Sequence, residues 1–156
     1  MTAPFILSHP ELQPKPAEHV LFKNVLLIED DRQTIAQVRD ILDLYFYDVT
    51  TVTNGADAIR HILNSPCDVV LCNLAVPAFP VDMFFQAIKR VRPDLIRKVI
   101  ALTSSDQSTK IDRGLTAFSI WKPIDNHILL EAIESVFKKE GRSKTAAKTV
   151  MQSNAA

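Results

Sequence analysis

Glycine is scarce in this sequence, with Gly55, Gly114 and Gly141 the only three. None belongs to a glycine-rich run, so no loop offers backbone amides that can close around a phosphate, which speaks against a nucleotide-binding enzyme. Cysteine is limited to Cys67 and Cys72. With no second pair and no histidine at ligand spacing, these two read as small buried hydrophobes rather than a disulfide, zinc or redox framework. An excess of either charge is also missing, because 18 basic and 18 acidic residues cancel. That removes the electrostatic case for a nucleic-acid or membrane surface. No apolar run approaches a membrane span, and Met1 to Leu7 lacks both the basic start and the long apolar stretch of a secretion signal. A reduced, cytoplasmic protein is expected. The 156 residues, 47% hydrophobic and 23% charged, suit one globular domain.

What is present is punctuated order. Pro4, Pro10, Pro14 and Pro16 interrupt any helix in residues 1–22, which read as a flexible extension. Four short apolar runs follow, each ending abruptly in polar residues: Val25 to Ile28 before Glu29-Asp30-Asp31, Val69 to Cys72, bounded by Asp68, before Asn73, Val99 to Leu102 before Thr103, and Phe118 to Trp121 before Lys122-Pro123. Runs this short and rich in branched residues, without alternation, are strands buried on both faces of a parallel sheet. Asp48 to Thr53, with Val49 and Val52 alternating among threonines, makes a fifth strand, closed by the turn pair Asn54-Gly55. Between the strands lie helical stripes: Ile35, Val38, Ile41, Leu42 and Tyr45; Ala56, Ile59, Ile62 and Leu63, stopped by Pro66; and Phe84, Phe85, Ile88 and Val91, closed by Pro93. The fourth connection is weak, with about two turns near Ser108 to Leu115. The last helix, Asn126 to Lys139, carries the clearest seam, Ile128, Leu129, Ala132, Ile133, Val136 and Phe137, with Lys138 and Lys139 at its negative end. Residues 141–156, without aromatics, read as a second flexible tail.

The expected organisation is therefore an α/β domain over residues 23–140, a five-stranded parallel sheet with helices on both faces and right-handed crossovers. In such sheets ligands gather outside the carboxyl ends of the strands, where the polar endings would converge on one crevice.

At four successive strand ends, Glu29-Asp30-Asp31, Asn73-Leu-Ala-Val-Pro77, Leu102-Thr103 and Lys122-Pro123 stand in one order. This arrangement resembles the receiver domain of two-component response regulators, over roughly Asn24 to Lys139. The resemblance implies a flavodoxin-like sheet of order 2-1-3-4-5 and a cis Lys122-Pro123 bond. It also implies an aspartate on strand three that takes a phosphoryl group from a histidine kinase, an acidic pair binding Mg²⁺, and a hydroxyl and a lysine closing strands four and five. Carried onto this sequence, Glu29 and Asp30 are the acidic pair, Thr103 the hydroxyl and Lys122 the lysine. The backbone carbonyl of Ala75 is a further metal ligand by the same analogy.

The acceptor position holds Asn73, the departure that matters most. A carboxamide has a delocalised nitrogen lone pair and a weakly nucleophilic oxygen, so ordinary phosphotransfer should be lost. A Mg²⁺ site of Glu29, Asp30, Asn73 and Ala75 should be weak, because a hard cation gains less from a neutral oxygen than from a charged one. The loop after Pro77 has no glycine, and Ser119 occupies the position, three before the lysine, where the family often carries an aromatic switch residue. The expected function is a stand-alone, non-enzymatic pseudo-receiver that acts by protein–protein interaction with a histidine kinase or a downstream effector. The alternative is a phosphorylation-competent regulator that accepts phosphate at another side chain, such as Asp31, or after Asn73 deamidates.

Overall fold

A computed structural model describes residues 22–77, 80–104 and 116–153. Five strands, β1 (Asn24–Ile28), β2 (Asp48–Val52), β3 (Val69–Asn73), β4 (Val99–Thr103) and β5 (Phe118–Trp121), form one all-parallel sheet ordered β2-β1-β3-β4-β5. β3 and β4 are buried along their whole length, whereas the edge strands β2 and β5 are only partly covered. That is why the inner strands read as unbroken apolar runs and β2 as an alternating one.

Strand side chains alternate between faces, so the sheet carries two cores. Leu27, Leu71, Ile100 and Leu102 pack on one face against Val38 and Leu42 of α1 (Arg32–Leu44) and Leu129, Ile133 and Val136 of α4 (Asn126–Ser153). On the other face Leu26, Ile28, Val70 and Cys72 meet Ala58 and Ile62 of α2 (Gly55–Asn64) and Phe84, Phe85 and Ile88 of α3 (Val81–Val91). Each fully buried leucine or isoleucine contributes about 1.5–3 kcal/mol by leaving water. The expected stripes hold with local shifts: Tyr45, Leu63 and Ile128 face outward, because each stripe is narrower than its run of apolar residues.

Four boundaries depart from the sequence reading. Asn54-Gly55 opens α2 rather than making a free turn, since Asn54 is extended and its Oδ1 accepts from the Asp57 amide. A 3₁₀ turn, Pro93–Lys98, follows α3 and buries Leu95 beneath the α2–α3 face. Phe46, just past α1, adopts a left-handed φ of 59°. Finally, α4 continues to Ser153, so the segment expected as a flexible tail is helical past Gly141. An isolated glycine weakens a helix by about 1 kcal/mol without ending it, and the alanines and lysines beyond it are good helix formers. The weak unit near Ser108 to Leu115 and the extension over residues 1–21 lie outside the described residues.

Candidate functional site

The order β2-β1-β3 means the chain leaves β1 towards one edge and returns to its other side, opening a crevice between the ends of β1 and β3. In register Ile28 lies opposite Cys72, so the next residue on each strand, Glu29 and Asn73, meets across that crevice. Asn73 Nδ2 donates to Glu29 Oε1 at 2.8 Å, and Asn73 Oδ1 accepts from the Ala75 amide at 2.9 Å. Both ends of the carboxamide are used. The second bond folds the chain back after β3 as an asparagine side chain does in a turn.

Glu29 is completely buried. An isolated carboxylate there would be very costly, and its survival depends on donors. It has four: Asn73 Nδ2, the amides of Asp30 and Asp31 at 3.0 and 3.1 Å on Oε1, and Lys122 Nζ at 2.7 Å on Oε2. Lys122 is delivered by β5. Its backbone amide donates to the Thr103 carbonyl at 2.8 Å, and the Lys122-Pro123 bond is cis, as the resemblance implied. Thr103, buried at the end of β4, donates from Oγ1 to the Ser104 carbonyl at 3.3 Å. Glu29, Asn73, Thr103 and Lys122 thus gather at one end of the sheet.

The rest of the expected set divides. Asp30 is exposed, so the acidic pair is one buried and one solvated carboxylate, as successive residues leaving a strand point to opposite sides. Asp31 caps α1, its Oδ2 accepting from the amide and hydroxyl of Thr34 at 2.8 and 2.6 Å. The Thr34 hydroxyl bond holds its carboxyl below the usual range. Ser119 is exposed on the edge strand. Sequence reasoning missed Trp121, the only tryptophan, half-exposed beside Lys122. Its place before Lys122 was visible, but nothing in the run marked it as facing solvent. Burial pushes both thiols up, Cys67 to about 11 and Cys72 further, so each is an uncharged hydrophobe at neutral pH.

A five-stranded parallel sheet of this order, with an acidic residue, a hydroxyl and a lysine at its carboxyl edge, defines a receiver-type domain. The family model for the response regulator receiver domain matches residues 25–134, and the chain belongs to that family. It is 26% identical over 123 residues to the sensory transduction protein BceR of Halalkalibacterium halodurans, covering 76% of this chain and 51% of that protein. The chain spans about half the length of several curated relatives it matches, and about a quarter of others. Among solved structures it resembles a CheY-like receiver domain from Methanospirillum hungatei, with TM-score 0.66, 22% identity and coverage of 78% and 98% of the two chains. It also resembles the receiver domain of sensor histidine kinase PA1611 from Pseudomonas aeruginosa, with TM-score 0.64, 21% identity and coverage of 73% and 96%. That second structure carries a magnesium ion in its active-site cleft.

The residues here do not fit such an ion well. Both Glu29 oxygens are committed to protein donors, Asn73 offers a neutral oxygen already bonded to Ala75, and Asp30 alone is an open carboxylate. Among the described residues no three His, Cys, Asp or Glu side chains cluster as ligands. Nor, among them, is any helix long and apolar enough to cross a membrane.

Proposed function

We propose that this chain is a pseudo-receiver of two-component or phosphorelay signalling, whose output does not depend on phosphorylation at the strand-three position. It acts by protein–protein interaction with a histidine kinase or a downstream effector. One observation carries the reading: Asn73, the side chain that ends β3 beside Glu29, is an amide donating a 2.8 Å hydrogen bond to that buried carboxylate. A phosphoacceptor must present an ionised oxygen to phosphorus, and a nitrogen donor in that place reverses the required polarity. The Asn73–Glu29–Lys122 chain is closed without metal, because Lys122 pairs the Glu29 charge on Oε2 while Asn73 and the Asp30 and Asp31 amides donate to Oε1. This neutral network holds the crevice in a single arrangement that a partner reads as it is.

Phosphate acceptance at Asp31 fits less well, since its carboxylate is engaged in capping α1. Deamidation of Asn73 is slowed by the bulky Leu74 that follows and by the two hydrogen bonds that fix the amide.

Trp121 supplies the test. A fluoride complex that mimics a phosphoryl group is added with Mg²⁺, and Trp121 fluorescence and an amide NMR spectrum are recorded. Both remain unchanged under this reading. A saturable shift centred on Lys122 and Thr103 would overturn it.

A further inference from the structure

At the opposite end of the sheet, where α1 hands over to β2, three unfavourable features coincide. Phe46 occupies the left-handed position after the helix, with its amide bonded to the Asp43 carbonyl and the Tyr47 amide to the Leu42 carbonyl. That is a place where glycine is favoured and a bulky aromatic is strained. Asp40 and Asp43 lie near the negative end of α1, whose last turn holds no basic residue. The exposed side chains here are large and apolar: Leu44 is 72% exposed, Phe46 70%, and Phe22 and Tyr45 more than half. Phe22, Asp43, Phe46, Tyr47 and Asp48 line a groove of about 370 Å³.

An occupant that is both cationic and apolar answers two of these features, covering the exposed apolar side chains and offsetting the negative end of α1. The nearby cations do not serve, because Lys23 sits over the Phe137 ring, 4.9 Å from its centroid, and Arg39 bonds the Val49 carbonyl and Thr51 hydroxyl. The chain itself contains a segment of the required chemistry. After Glu140, which pairs with Lys98 at 2.9 Å, α4 runs on to Ser153. That stretch contains Arg142, Lys144 and Lys148, Val150 and Met151, and no acidic residue. At about 1.5 Å per residue it adds roughly 20 Å of helix beyond Glu140.

We propose that the Phe22–Phe46 groove receives the basic end of α4 from a second copy of this chain. Each copy carries one groove and one extension, so the proposed assembly is the reciprocal exchange in which both extensions are seated at once, a closed two-fold dimer rather than an open head-to-tail chain.

Sedimentation velocity of the full chain over a concentration series tests this. The expected result is a monomer–dimer equilibrium that weakens as salt is raised. Phe46→Gly deletes the ring and the backbone strain together, and Asp43→Lys removes an acid from the helix end. Each should therefore weaken dimerisation by roughly tenfold or more while the unfolding midpoint stays level or rises. Replacing Arg142, Lys144 and Lys148 with Glu should abolish the dimer, and adding Asp43→Lys and Asp48→Lys to that variant should restore it. A chain that stays monomeric throughout overturns the proposal. So does a dimer indifferent to Phe46→Gly or to loss of the three basic residues.

Discussion

Asn73→Asp is the perturbation that bears most directly on the crevice. In the native protein the amide nitrogen donates to Glu29 Oε1 at 2.8 Å, with Asn73 only 7% exposed and Glu29 fully buried. The substitution keeps the shape and turns that donor into a second carboxylate oxygen. A hydrogen bond to a charged group, about 1.5–3 kcal/mol, is lost. Two negative charges with centres about 4 Å apart repel by roughly 4 kcal/mol at an effective dielectric of 20. Lys122, already 2.7 Å from Glu29 Oε2, offsets part of this by sharing itself between them. An upper bound exists, because at pH 7 the new carboxyl can escape by protonation at a cost of about 4 kcal/mol from its unperturbed pKa. The metal-free variant should therefore lose about 2–4 kcal/mol, read as a lower urea midpoint at unchanged slope.

The pH dependence has a definite sign. Repulsion raises the folded pKa of the new carboxyl above its unfolded value, so the deficit is absent below about pH 4 and grows as pH rises through the folded pKa. Mg²⁺ should restore the variant, by about 2.7 kcal/mol at a hundredfold excess over its Kd, and do little for the native protein. Equal responses of the two proteins to Mg²⁺, or a metal-free variant as stable as the original, would refute the placement of Asn73 against Glu29.

Four further outcomes are expected. Lys122→Met strands the buried Glu29 carboxylate and should cost about 2–4 kcal/mol, whereas Lys122→Met with Glu29→Gln should recover most of it, as a double-mutant cycle in urea will report. Gly141→Ala should stabilise by about 0.5–1 kcal/mol in thermal unfolding, since a methyl there meets open space within α4. Asp31→Ala should destabilise the protein at neutral pH and not at acid pH, because a carboxyl held low contributes stability that is lost as pH falls through its folded value, below about pH 4. Cys67, pushed up to about 11, should resist alkylation in the native state and contribute stability that is fully present below about pH 9 and lost as pH rises through 11, about 2–3 kcal/mol.

Much of this arrangement was legible in the residues. Strands buried on both faces announce themselves as unbroken apolar runs, and β3 and β4 fall where those runs stand. The sheet order was not carried by periodicity. It followed from the resemblance, and only the order explains why Glu29 and Asn73, 44 residues apart, share a hydrogen bond. Glu29 and Asp30 looked equivalent as neighbours in sequence, yet one is buried and the other solvated, a distinction set by which side of the strand end each leaves. Asp31 read as one of a cluster and acts as a helix cap, a role fixed by the Thr34 backbone amide three residues on and reinforced by the Thr34 hydroxyl. The left-handed Phe46 gave no signal, because the usual mark of that conformation is a glycine and none is there. The length of α4 escaped for the converse reason: a glycine and a polar composition suggested an end that the helix does not make.

The central claim is that the side chain at the strand-three position cannot accept a phosphoryl group. It is tested most directly by incubating the native chain and Asn73→Asp side by side with a small-molecule phosphodonor and Mg²⁺, then measuring intact mass. The account predicts no adduct on the native chain and one base-labile phosphoryl group on the variant, localised to the new aspartate. A stoichiometric phosphoryl adduct on the native chain, at Asp31 or anywhere else in the crevice, would contradict it.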